Sequence, residues 1–166
     1  MGYNKSGLAQ AGMALGVGLI AGLAGTAAVT LSRKLDKHCA ERKPEKALLE
    51  VASKVLDVKP TSEEKREKVV EEIHWAYGAG KGILRGALNI IGINGVFGTA
   101  AHFATIWYAE KVLLPDAKKV FPDVQGAEPI TEIAPYTLAR DSMHQALYAA
   151  VTGLVFDFIM PDNNMI

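Results

Sequence analysis

The chain has 166 residues, 49% of them hydrophobic, and its 18 basic and 18 acidic side chains cancel. That balance excludes a global field able to recruit nucleic acid or an anionic surface. Cys39, the one cysteine, excludes an internal disulfide and the multi-cysteine metal motifs. The length suits one domain, 1–166. The mean hydropathy of +0.13 averages two populations. Apolar, glycine-rich stretches alternate with segments dense in Lys, Glu and Asp, a coarser segregation than an amphipathic soluble fold requires.

Residues 8–31 carry no charged side chain, and about 20 apolar residues suffice to cross a bilayer. The run exceeds the roughly 7–15 residues of a signal-peptide core, so it reads as a retained first span. Gly18, Gly22 and Gly25 share one stripe with Ala11, Ala14 and Ala28. Small residues at this spacing let a second helix approach closely. Packing within the chain is the expected use, and pairing with another copy is the alternative.

Residues 32–73 change character. Arg33, Lys34, Lys37, Arg42, Lys43 and Lys46 open a run of bases interleaved with glutamates, and the interleaving argues against a nucleic-acid partner. From Pro44, the residues Leu48, Val51, Val55 and Leu56 line one side of an amphipathic pattern, a short helical segment on the membrane surface or capping a bundle. Pro60 ends it, and Thr61 with Glu64 makes a capping box that starts the next helix.

That helix runs directly into a second span, 74–93, with Trp75 and Tyr77 at the level of interfacial aromatics. Gly78, Gly82 and Gly86 recur every fourth residue, and beside them His74, Lys81, Arg85 and Asn89 form one polar stripe. Ile93-Asn94-Gly95 signals a tight turn into a third span, 96–114, which carries His102 and Glu110 and stops at Pro115. Residues 115–138 read as a loop broken by Pro122, Gly126 and Pro129, with Pro135 suited to the first turn of the last helix. The fourth span, 139–160, presents Asp141, His144, Gln145, Tyr148 and Thr152 on one face, with Asp157 placed on the opposite side.

The pattern predicts an all-α, polytopic membrane bundle of four transmembrane helices with a cytoplasmic amphipathic helical segment. Lys and Arg concentrate in 32–73 and around 115–138, and the other flanks are nearly free of them. The positive-inside rule then puts both large loops in the cytoplasm and both termini outside, in the inner (plasma) membrane. The partners expected are the lipid bilayer and further membrane subunits, as a homo-oligomer or a larger complex.

Charges within spans are costly and mark paired or functional positions. A helix rises about 1.5 Å per residue, which puts His74, Lys81, Arg85, Asn89, His102, Glu110, Tyr148 and Thr152 at matching depths as a buried polar seam. Glu110 is expected to neutralise Lys81, and His102, Asn89, Thr105 and Thr152 are the expected partners of Arg85. In the simplest account the seam specifies how the helices pack, in a structural or accessory membrane subunit. Alternatively, a surplus of positive charge would line an oligomeric path for an anion. A third account draws a metal-dependent enzyme site from His74, Glu110, Asp141 and His144, two imidazoles and two carboxylates. No zinc-protease helix, phosphate-binding loop or nucleophile elbow occurs, so no catalytic residue is assigned and no cofactor is predicted.

Three stretches carry a resemblance: A-G-L-A-G-T-A-A-V-T-L-S-R-K-L in the first span, H-W-A-Y-G-A-G-K-G-I-L-R-G in the second and D-S-M-H-Q-A-L-Y-A-A-V-T-G in the fourth. They resemble small prokaryotic multi-pass membrane proteins of the YagU-like kind. The resemblance implies an inner-membrane protein of a group without an established activity. Related-looking sequences have two adjacent histidines in the fourth span, where this chain has His144 followed by Gln145. That departure weakens any transfer of a metal site.

Overall fold

The computed structural model describes residues 7–35, 63–113 and 130–161. Within them the chain is all-helical. Helix α1 is Gly7–Leu35, α2 is Glu63–Ile90, α3 is Gly95–Tyr108 and α4 is Pro135–Ile159. A π-helical turn, Ala109–Leu113, extends α3, and a 3-10 turn, Ile130–Glu132, precedes α4. The amphipathic segment beginning at Pro44 and the capping box at Thr61 lie outside the described residues.

The boundaries shift where local signals compete. Helix α1 continues past residue 31 through Ser32, Arg33 and Lys34, because bases in the last turn complement the exposed carbonyls there. Helix α2 stops at Ile90, three residues before the expected end. Gly92, at φ +85°, takes the left-handed conformation that closes the helix. Its N–H donates to the Asn89 carbonyl and that of Ile93 to the Leu88 carbonyl, at 3.0 and 2.9 Å. This pair of bonds is a Schellman motif, so the turn begins one residue before Ile93-Asn94-Gly95. Pro135 opens α4 as expected, within its first turn. Proline's fixed φ and missing N–H suit that position.

Contacts between elements give the topology. Tyr77 and Lys81 on α2 meet Glu110 at the far end of α3, whereas Asn89 meets Asn94 at its start, so these helices are antiparallel. Ser32 lies beside His144, and Ala14, Val17 and Ala21 cluster with Phe156, making α1 antiparallel to α4. The result is an up-down-up-down four-helix bundle. Helix α1 packs mainly on α2 and α4, and α3 lies chiefly on α4.

Glycine makes the α1–α2 contact possible. A Cβ on Gly22 would stand 2.7 Å from the Gly78 carbonyl oxygen, and one on Gly18 would stand 2.5 Å from that of Gly82. Gly86 abuts the backbone of Ala14, and Gly25 faces Tyr148 and Thr152 on α4. All six small-residue positions therefore serve contacts inside this chain.

By length and apolarity one described helix, Gly7–Leu35, qualifies as a membrane span, weak support for membrane association. The others depart from that pattern for visible reasons. Arg85 and Lys81 interrupt α2, Asp141 and Asp157 interrupt α4, and α3 is 14 residues long before its π turn.

Candidate functional site

The polar side chains between the helices lie in layers, beginning at the end of the bundle where α1 finishes and α2 enters. Trp107 donates to Ser142 Oγ at 2.9 Å, and Lys111 Nζ donates to Asp141 Oδ2 at 2.7 Å. His74 Nε2 lies 2.9 Å from Thr30 Oγ1. Because that hydroxyl already donates to the Thr26 carbonyl at 2.8 Å, the imidazole must be the donor. His144 Nδ1 lies 3.5 Å from Ser32 Oγ.

The next layer is built on Glu110. Its Oε1 accepts from Tyr77 Oη at 2.9 Å and from Lys81 Nζ at 3.2 Å, and its Oε2 accepts from Gln145 Nε2. Lys81 Nζ also stands 4.6 Å from the Tyr77 ring centroid and 4.5 Å from that of Tyr148. The ammonium is thus held by one carboxylate and two aromatic faces. The expected Lys81–Glu110 pair is present. The π turn matters here. Adding a residue to the helical turn lets the consecutive Glu110 and Lys111 both reach across the bundle, one to Lys81 and the other to Asp141.

Deeper in, Tyr148 Oη donates to the Gly78 carbonyl at 2.6 Å. His102 Nε2 donates to the Lys81 carbonyl at 2.9 Å, binding α3 to α2. Thr152 is fully buried, against Gly25. Arg85 has 0% exposure, its guanidinium 4.5 Å from the Phe156 ring centroid. Its Nη2 donates to Asp157 Oδ1 at 2.5 Å. Asn89 closes the seam by donating to Asn94 Oδ1 at 2.6 Å.

Three expectations are corrected. Arg85 pairs with Asp157, which was placed on the far side of its helix. Of the partners proposed for it, His102 bonds the Lys81 carbonyl, Asn89 bonds Asn94, and Thr105 bonds the Ala101 carbonyl of its own helix. The Tyr148–Gly78 contact sets an offset of 70 between α4 and α2, which brings Asp157 to within a turn of Arg85. Secondly, with Glu110 on Lys81 and Asp157 on Arg85, the surplus of positive charge along the seam disappears.

Thirdly, the metal set does not assemble. Glu110 is occupied by three donors, Asp141 is turned to Lys111, and His74 and His144 face Thr30 and Ser32. Among the described residues no three His, Cys, Asp or Glu side chains are placed to hold a metal ion. Gln145 spends its amide on Glu110.

A small cleft of about 30 Å³ opens beside the Glu110 layer, lined by residues that include Arg33, His74, Tyr77, Glu110, His144 and Gln145. Tyr77 and Tyr148 supply its aromatic lining. No protein-family model matches the chain, and no curated protein or solved structure matches it either.

Proposed function

We propose that the chain is a four-span integral membrane protein acting as a structural or accessory subunit, in which the polar seam sets how the helices pack. The observation that carries this reading is an inverted distribution of side chains. Arg85 and His102 have 0% exposure, whereas Phe97 and Phe158 are 82% and 87% exposed. Leu19, Ile20, Ile91, Val96 and Leu154 are exposed on the same outer surface. Water would favour the reverse. In hydrocarbon, outward leucine and phenylalanine cost nothing, and paired charges belong inside. Helices whose one proline, Pro135, stands in a first turn and that satisfy their own backbone suit the same solvent.

The bundle also supports the orientation. An up-down-up-down path brings the end of α1, the start of α2, the end of the π turn and the start of α4 to one face. The basic segments 32–73 and 115–138 both attach there, which suits a cytoplasmic face under the positive-inside rule. The resemblance to YagU-like membrane proteins implies a multi-pass inner-membrane protein.

The anion-path reading loses its premise because each mid-seam cation has a carboxylate. Carbonate extraction of membranes should leave the protein in the pellet, and a reporter fused at Val58 should be cytoplasmic. Proteoliposomes should pass no anion flux above empty vesicles. A flux abolished by Arg85→Gln would instead establish transport and end the structural reading.

A further inference from the structure

The α2–α3 hairpin is shorter than the bilayer that α1, with its 29 residues, can cross. Trp75 and Trp107 stand at the end of the bundle where the basic segments attach, and aromatic side chains of this kind mark the headgroup level. From Trp75 to its end at Ile90, α2 rises about 23 Å, and the 14 residues of α3 rise about 21 Å. Both fall short of a hydrocarbon core of roughly 30 Å, and tilting would shorten them further. At the tip, Ile91, Val96 and Phe97 are 69%, 84% and 82% exposed.

Polar groups on three other parts of the bundle stand near the same level. Asp157 lies about 22 Å along α4 from Ser142, the partner of Trp107, and its side chain is 39% exposed although it pairs with Arg85. Gln10, exposed on α1, is one turn before Ala14, whose backbone meets Gly86, and so reaches the level of Ile90. Asn94, the N-cap of α3, makes no side-chain capping bond, because its Oδ1 accepts from Asn89. The N–H groups that begin α3 therefore open toward the tip, and hydrocarbon is a costly place for them. A carboxylate, an amide and a helix start thus ring the bundle several ångströms below where an undistorted core would end. Sliding the bundle outward would bring them to the surface, but it would draw the paired Lys111 and Asp141 into hydrocarbon at the other end. We propose that the bundle instead thins the membrane, drawing the headgroups of the far leaflet down to Asp157 and Asn94. Its partner is a leaflet of short acyl chains, with Val96 and Phe97 anchored in the edge. The inference rests on the membrane reading of the preceding section.

The test is the full chain reconstituted in phosphatidylcholine vesicles that differ only in acyl length: dimyristoleoyl, dioleoyl and dierucoyl. The thermal midpoint should be highest in the dimyristoleoyl bilayer and lower by about 5 °C in the dierucoyl one, since mismatch grows more costly with each ångström. A second readout measures depth. In a Cys39→Ser background, a nitroxide on Ile91→Cys in dioleoyl vesicles should meet a water-soluble nickel chelate several-fold more often than one on Ile83→Cys. Ile83 is 37% exposed on the same helix, about 10 Å from its end. Circular dichroism checks that both labelled variants are folded, and the midpoint series on the native chain needs neither. A midpoint highest in the dioleoyl or dierucoyl bilayer, or indifferent to chain length, overturns the proposal. So does a label at Ile91 as shielded as the one at Ile83. Failure of the membrane reading looks different: carbonate would release the protein from its native membrane.

Discussion

Arg85 and Asp157, 72 positions apart, join α2 to α4 through a 2.5 Å contact in which the guanidinium is wholly buried and the carboxylate is 39% exposed. The asymmetry decides which side of the pair is vulnerable. Losing the carboxylate strands a charge that cannot reach solvent, whereas losing the guanidinium leaves an anion near the surface.

Asp157→Asn should therefore destabilise by about 3 kcal/mol, the low end for breaking a buried pair, since only the guanidinium is fully buried. Arg85→Met combined with Asp157→Leu should recover much of that loss by removing both charges. Thermal unfolding in detergent of Arg85→Met, Asp157→Leu and the double variant gives the coupling. Strict additivity would show that the pair does not act as one unit.

Glu110 predicts a graded response. Glu110→Gln keeps an acceptor for Tyr77 and should be mild, whereas Glu110→Ala removes the carboxylate that pairs with Lys81. The latter should cost about 3 kcal/mol. Lys81→Met placed on Glu110→Ala should restore part of it, because the uncompensated ammonium is then gone. The same unfolding assay reads all three.

Glycine substitutions should sort by position. At Gly82 a Cβ meets the backbone of Gly18 and Gly22, which cannot move aside as a side chain can. Gly82→Ala should cost about 1–3 kcal/mol by forcing α1 away from α2. At Gly80 nothing lies within 4 Å, so Gly80→Ala should stabilise by up to about 1 kcal/mol through helix propensity. Equal midpoints for the two variants would contradict the close packing of α1 on α2.

The outward apolar surface can be mapped in intact membranes. In a Cys39→Ser background, Leu154→Cys and Phe158→Cys should resist a membrane-impermeant maleimide, because hydrocarbon disfavours the thiolate that reacts. Lys65→Cys, on the exposed start of α2, should be labelled rapidly once the cytoplasmic face is opened. Rapid labelling at Leu154 would place that face in water.

The sequence by itself determined the elements and most of the seam's membership. An uncharged run, helical spacing of small residues, Pro135 and the glycine-bearing turn are local signals, and each acts through the backbone of its own segment. The stripe His74, Lys81, Arg85 and Asn89 was legible for the same reason, since one helix's periodicity fixes which residues share a face. Partnership was legible only for Lys81 and Glu110, where depth and opposite charge agree. Which side chain answers Arg85 depended on the offset between α4 and α2, and the metal set failed because Glu110, Asp141 and both imidazoles each found a nearer partner on another helix. Those choices belong to the tertiary structure. A helical period specifies direction around one axis, and only packing of the axes specifies which directions meet.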